Sequence, residues 1–395
     1  MGMLDGVFGS RQDRFARQVL TALRDAGVAD ARYDRDRFAI HVRVGGHGGA
    51  ATGHGRDDAG AAPSIAYLGN IFRECRDAGR EERRQRIARF LSAVVFPTGA
   101  PDTWEEVAPL LRPLLRAVTF GLGMPAGSPP LVRRPALPML DEVVAVDQPT
   151  SMMYVTTRQL AQWGVPAPVV FDRARRNLTG LPGGPSGGTA VIRIVDDGDA
   201  YCASHLLLPG WLAAQADRLG GTPVAFVPDT TGLLLAADDA AGPLFAVVEE
   251  EYRDAARPIS AMAYTVDATG AVVPYPAPPG HPLHAAVHRS EVLMAAAGYD
   301  AQAPHLDTDA SVAAVTVAER PDRSVFSVAD WAEGVDTLLP RAEYVSFGSF
   351  LVTWAALERE VDLEPAPGLD PERFRLRTWP HPGVVARLRA VAVTP

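Results

Sequence analysis

The sequence predicts an α+β protein in which repeated β-hairpin–helix units form antiparallel or mixed sheets with helices packed on one face. Three observations carry this. Apolar, β-branched runs come in close pairs and not singly between helices, which argues against a doubly wound parallel sheet. The pairs are joined by short Asp/Gly turns, of which Asp229-Thr-Thr-Gly232 and Asp267-Ala-Thr-Gly270 share one form suited to a type I turn closing on glycine. Helix-period segments follow the pairs.

The organising stretch is 189–275. Thr189–Val195 reads as a strand, Asp196-Asp-Gly-Asp199 as its turn, and Tyr201–Leu208 as the return strand, ended by Pro209. Trp211–Leu219 reads as a helix closed by Gly220-Gly221. The pattern repeats with strands at Pro223–Val227 and Leu233–Ala236 and a helix at Pro243–Ala255. A third hairpin spans Ile259–Tyr275.

Elsewhere, Gln12–Ala26 is an amphipathic helix with Phe15, Val19 and Leu23 on one face, capped by Ser10 and stopped by Gly27. Ala31–Val44 reads as one strand, alternating Phe38, Ile40 and Val42 with His41 and Arg43. Arg80–Val95 is helical, with Ile87, Phe90, Leu91 and Val94 on one face and Glu82 placed to pair with Arg86. Thr103–Val118 reads as a helix, 121–138 as a Pro/Gly linker, Asp141–Thr157 as a strand pair, Pro166–Leu178 as a helix and 179–188 as a second linker. After PAPPG (276–280), Pro282 opens a helix running to Ala297 with Gly298 as the stop. Strands follow at 311–318 and Ser324–Val328, then a helix over Ala329–Leu339, extended chain over Tyr344–Trp354 and a strand at Phe374–Thr378. A short apolar segment closes the chain. The domains expected are 1–96, 103–178, 189–280 and a C-terminal extension, 281–395.

Composition narrows the chemistry. A formal net charge of −9 argues against a nucleic-acid footprint. All 38 basic residues are arginine, so Schiff-base, P-loop and kinase-type lysine chemistries have no residue to carry them. Cys75 and Cys202 are the only cysteines, too few for a disulfide framework or a thiolate metal site. Without an apolar run of roughly 18 residues or a leader, the expectation is a soluble cytoplasmic protein with no membrane partner.

Candidate motifs mostly fail their context. Gly46-His-Gly48 lies in a Gly-rich insert (45–62) with no helix opening after it, and His47 and His54 read as solvated. Gly184-Pro-Ser186-Gly-Gly188 matches GxSxG, but the order is helix, loop, strand, so Ser186 is not a nucleophile elbow. On a strand, Ser204 and His205 face opposite sides and form no dyad. Cys202 reads as a small buried hydrophobe, and Asp196, Asp197 and Asp199 as turn residues. The best constellation is His284, His288 and Glu291, within roughly 60° of one another on one helical face. Two imidazoles and a carboxylate there can bind zinc or iron, with His281 or His305 joining and Asp307 and Asp309 nearby.

The segments PLLRAVTF (113–120), FDRARRNL (171–178), DGDAYCASHLLLPGWLAAQ (197–215), TPVAFVPDTTGLLLAAD (222–238) and PISAMAYTVDATGAVVPY (258–275) make the chain resemble the YtpQ-like family of uncharacterised bacterial proteins over about residues 15–275. The resemblance implies a cytosolic α+β protein and carries over no catalytic residue. The insert at 45–62, the linker at 121–138 and the region beyond about 280 depart from the family pattern.

The functional expectation is a non-catalytic binding or adaptor protein without a cofactor, its partner an unidentified protein or small molecule. The alternative is a metal-dependent hydrolase or oxygenase using His284, His288 and Glu291 with zinc or iron. A third reading is a binder that adds a strand to an exposed sheet edge.

Overall fold

A computed structural model describes residues 11–26, 28, 30–35, 38–42, 64–68, 71, 72, 75, 78–95, 101–124, 127–148, 151–178, 191–195, 201–230, 232–255 and 257–394. The expected features at Ser10, Gly27, 45–62, 179–188 and 196–199 lie outside these residues. The chain is α+β, with several sheets interspersed with helices. It divides into two compact units, 1–102 with 146–153, and 103–145 with 154–395.

In the first unit, helix α1 (Arg11–Asp25) and helix α2 (Arg80–Val95) accompany a three-stranded antiparallel sheet of β1 (Ala31–Asp34), β2 (Ala39–Val42) and β3 (Ser64–Tyr67). Phe15, Val19, Leu23, Ile40, Val42, Ile87 and Leu91 share its core. The single strand expected over 31–44 is instead two, with Phe38 at φ 46° in the turn. The charged run Asp34-Arg-Asp-Arg37 breaks the apolar alternation there. Glu82 does pair with Arg86, at 2.5 Å.

The second unit opens differently from expectation. Only Trp104–Val107 is α-helical (α3); a 3-10 turn (108–110) then leads into strand β4 (Leu111–Ala117). Pro113 explains it, because proline in a helix interior removes a hydrogen bond and clashes with the preceding turn. The 121–138 stretch is not only linker: β5 (Arg133–Leu137) pairs antiparallel with β6 (Leu140–Gln148), and β4 and β7 (Ser151–Tyr154) also pair with β6. Helices α4 (Thr157–Trp163), opened by a Thr156/Gln159 capping box, and α5 (Ala167–Leu178) follow.

β8 (Val191–Val195), β9 (Pro223–Phe226), β10 (Gly232–Ala237), β11 (Ala263–Val266) and β12 (Val272–Pro274) form an antiparallel sheet in the order β12-β11-β9-β10-β8. The return strand expected at 201–208 is a 3-10 helix over Cys202–Leu207; β8 pairs with β10 instead. Cys202-Ala-Ser204 has no β-branched residue to favour extension. Within this helix Ser204 Oγ accepts the Leu115 backbone N–H of β4 at 3.2 Å, so the turn closes over that strand. A short helix α6 (Ala216–Leu219) and helix α7 (Leu244–Asp254) lie where helices were expected. The third turn forms as read: Asp267 Oδ1 accepts from Thr269 N, Thr269 Oγ1 and Ala271 N, and Gly270 sits at φ 81°.

Helix α8 (His284–Gln302) runs through Gly298, which is not a stop. A Cβ at 298 would lie 2.3 Å from Met139 Cε and 3.6 Å from Pro371 Cγ, so glycine here permits close packing. The C-terminal part has two four-stranded sheets. One is ordered β13 (Ser311–Val312), β16 (Thr337–Pro340), β20 (Arg373–Leu376), β19 (Glu364–Pro365). The other is ordered β14 (Val315–Glu319), β15 (Val325–Asp330), β17 (Tyr344–Ser346), β18 (Leu351–Thr353). Each contains one parallel pair, β13–β16 and β15–β17. The helix expected over 329–339 is absent: this stretch is the end of β15, a turn and the start of β16. Helix propensity of Ala and Glu yields there to burial of Trp331, which packs on Phe347 and Trp379. Helices α9 (Trp354–Glu360) and α10 (Pro382–Ala390) complete the chain. Among the described residues no helix is long and apolar enough to cross a membrane.

Arg373, with no exposed surface, fixes α8 to these sheets. Its guanidinium donates to Gln302 Oε1 (2.7 Å), Ala313 O (2.7 Å), Leu338 O (3.2 Å) and Tyr299 O (3.1 Å), and lies 5.0 Å from the Tyr299 ring centroid. Arg373→Met would remove all four bonds and leave Gln302 Oε1 and Ala313 O without the donor they have here, while Leu338 O and Tyr299 O keep the Ala313 and Ala303 backbone N–H groups; we expect a loss of about 3 kcal/mol in urea unfolding. A loss below about 1 kcal/mol would show that Arg373 is not what holds α8.

Candidate functional site

The histidine face of α8 is partly assembled. The His284 and His288 rings stack, 6.0 Å between centroids and 9° from parallel. His284 Nδ1 lies 2.7 Å from Ala277 O; a carbonyl only accepts, so Nδ1 carries the proton and Nε2 is left as an acceptor. His288 Nε2 meets Glu343 Oε1 at 3.0 Å, across from the loop before β17. Glu291 is exposed. His281 Nδ1 accepts from Leu283 N at 3.1 Å, a local turn contact at the start of α8. His305 stands apart, beyond the other end of the helix, and Asp309 binds Arg375 at 2.9 Å. Among the described residues no group of three or more His, Cys, Asp or Glu is close enough together to hold a metal ion.

The other candidates are placed as follows. His205 Nδ1 donates to Cys202 O at 3.1 Å and its ring packs 4.9 Å from Trp211. Burial holds its pKa below the ordinary imidazole value, against backbone hydrogen bonds that raise it. Ser204 is committed to β4, so the two form no dyad, though the reason is a 3-10 turn and not strand alternation. Cys75 is buried and Cys202 half-buried, both as free thiols. His47, His54, Ser186, Asp196, Asp197 and Asp199 lie outside the described residues.

The sequence reading missed a cleft of about 370 Å³ built by β5 and β6, the end of α8 and the 368–370 loop. It begins with a spacing. Arg133-Arg134 precede Asp141-Glu142 by eight residues, and the β5–β6 hairpin pairs Arg134 with Glu142 and Pro135 with Asp141. Successive residues on a strand face opposite ways, so the two carboxylates point to opposite sides of the sheet. Glu142, fully buried, takes Arg134 Nε at 2.7 Å and both Nε (2.9 Å) and Nη2 (2.7 Å) of Arg175 from α5. Arg134 also lies over the Phe171 ring, 4.2 Å from its centroid.

Asp141 lines the cleft and is 3% exposed. Its Oδ2 takes Arg133 Nε and Nη2, while Arg133 also donates to the Phe120 and Val118 carbonyls. Its Oδ1 is buried with no hydrogen-bond partner. A buried acceptor left unmatched costs about 1–3 kcal/mol, so this atom is the point of the cleft where a donor would be gained. Burial raises the Asp141 pKa above the ordinary carboxylate value; Arg133 draws it down, and the Asp370 charge adds to the rise. Asp370 and His305 line the same cleft, both exposed, together with apolar Val118, Leu122, Leu306 and Leu369. Gly123 at φ 80° leaves room for the His305 ring: a Cβ there would lie 2.6 Å from its Cε1. A second concavity, beside residues 358–363, is polar, and two of its acids are engaged: Glu358 with Arg341 and Trp354, Glu360 with Arg387.

The signal in the sequence was the acidic pair Asp141-Glu142 at the head of an otherwise apolar strand, with an arginine pair eight residues earlier. A raised folded-state pKa means that the protonated form of Asp141 is favoured by folding. Its contribution is complete below the unfolded value near 4 and is lost as pH rises through the folded value. Asp141→Asn should therefore gain relative to wild type between pH 4 and pH 7, read as the difference in melting temperature. Parallel melting curves across that range would contradict it.

Compared with known proteins, the chain matches no family model, no curated protein and no solved structure.

Proposed function

We propose that this chain is a binding protein, without catalysis of its own, that takes a small polar ligand in the cleft of the β5–β6 hairpin. The observation that carries this reading is the buried, unpartnered Oδ1 of Asp141 in a concave site with apolar walls. Ligand sites have this make-up, mostly apolar with a few placed polar groups, and volumes of roughly 300–1,000 Å³. The cleft is held by committed side chains: Arg133 by Asp141 and two carbonyls, Gln302 by Arg373 and the Pro371 carbonyl. Such pre-set groups favour binding because little ordering remains to be done. A fragment library observed by NMR on the full chain tests it. Leu306→Trp, which fills the cleft from one wall, should abolish binding of fragments that wild type takes up. Equal binding to both proteins would place the ligand elsewhere and sink the reading.

One contact favours the second reading, a metal-dependent enzyme at His284 and His288. A histidine whose Nδ1–H is fixed on a carbonyl presents Nε2 as a ligand. Metal analysis of the purified protein checks it: stoichiometric zinc or iron that is lost in the His284→Ala/His288→Ala double variant would support this reading over the first. Protein equally stable with and without chelator, and free of metal, would end it.

A further inference from the structure

Resting on the cleft as the ligand site, we propose that its ligand is an amine: a protonated ammonium group on a compact apolar body, bound by the carboxylates of Asp141 and Asp370. The hydrogen bonds already made inside the cleft point to this. Its arginines are largely committed. Arg133 meets Asp141 Oδ2 and the Val118 and Phe120 carbonyls, and Arg134 meets Glu142 while its guanidinium lies over Phe171. Its acidic acceptors are not. Asp141 Oδ1 has no hydrogen-bond partner, and Asp370 makes no ion pair among the described residues.

A donor is therefore what these acids lack. The two carboxylates are near enough that the charge of one is felt by the other, so a cation bound to both would offset a repulsion as well as complete a hydrogen bond. A carboxylate ligand would bring a third like charge to this pair, with the exposed His305 ring and the outer nitrogens of Arg134 as its donors. A neutral alcohol could supply the donor but not the charge, and hydrogen bonds between ionised partners are roughly twice as strong as neutral ones. The walls set the rest of the ligand. Val118, Leu122, Leu306 and Leu369 offer apolar surface to a hydrocarbon body, and the volume of about 370 Å³ fits a molecule no larger than a substituted ring.

Three probes of one size separate the possibilities: benzylamine, benzyl alcohol and benzoate, titrated into the full-length protein by calorimetry. Benzylamine should bind about tenfold more tightly than benzyl alcohol, with benzoate weakest. Asp370→Asn, at an exposed position that keeps the fold, should weaken benzylamine about fivefold and leave benzyl alcohol nearly unchanged. Asp141→Asn should remove the preference for amine, with its folded state checked by circular dichroism. Benzoate binding best, or benzylamine indifferent to Asp370→Asn, overturns the amine assignment. If those probes are still lost in Leu306→Trp, the cleft itself stands as a ligand site. Probes insensitive to Leu306→Trp overturn both.

Discussion

A buried cation that makes no ion pair among the described residues governs the second unit. The Asp300 charge acts on Arg373 without bonding it; the guanidinium's hydrogen bonds go to three carbonyl oxygens and one side-chain amide oxygen. A guanidinium does not shed its proton in proteins, so burial lowers its pKa without neutralising it, and the surrounding oxygens must do the stabilising. One of them, Tyr299 O, belongs to the last turn of α8, at the negative end of the helix dipole, where it also accepts the Ala303 backbone N–H. Arg373 thus caps a helix and closes a sheet at once. Tyr299 reinforces the junction: its hydroxyl donates to Glu372 O at 2.9 Å and accepts from Arg341 N at 3.1 Å.

The cleft inherits its geometry from that junction. Gln302 receives Arg373 on its oxygen and donates its amide nitrogen to Pro371 O at 2.7 Å, so the end of α8 and the chain beside Asp370 are tied through one side chain. Opposite them, the β5–β6 hairpin sorts its four charges by strand alternation. One Arg–Asp pair faces the cleft. One Arg–Glu pair turns towards α5, where Arg175 completes it. Without alternation all four would crowd one face. With it, the sheet carries a structural ion pair on one side and an incompletely satisfied one on the other.

How much of this the sequence discloses depends on the range of the forces involved. Helices α1, α2, α5 and α7 and the Asp267 turn follow from local periodicity and turn chemistry, and all are present near their expected bounds. The misreadings have two causes. At 103–118 apolar spacing outweighed Pro113, at 201–208 an apolar run concealed a 3-10 turn, and at 329–339 good helix formers lie in two strands and a turn. At 103–118 the deciding residue, Pro113, is local; at the other two the deciding partner lies farther along the chain: β10 for β8, Phe347 and Trp379 for Trp331. The site divides the same way. Spacing put His284 and His288 on one face, and their rings do stack. It was silent on Glu343, which approaches His288 from a different element, and on Asp370; it named His305 only as a possible ligand beside His284, whereas His305 and Asp370 line the cleft of Asp141.

The crossing of α8 over the β5–β6 turn leaves one further mark. Gly298 faces the methyl end of Met139, and no volume is spare between them. The two positions therefore form a lock with a single combination. In any descendant of this sequence, a larger residue at 298 requires a shorter one at 139, so change at 298 has to follow change at 139. Covariation between 139 and 298 is the historical trace that this helix crossing should leave across a lineage.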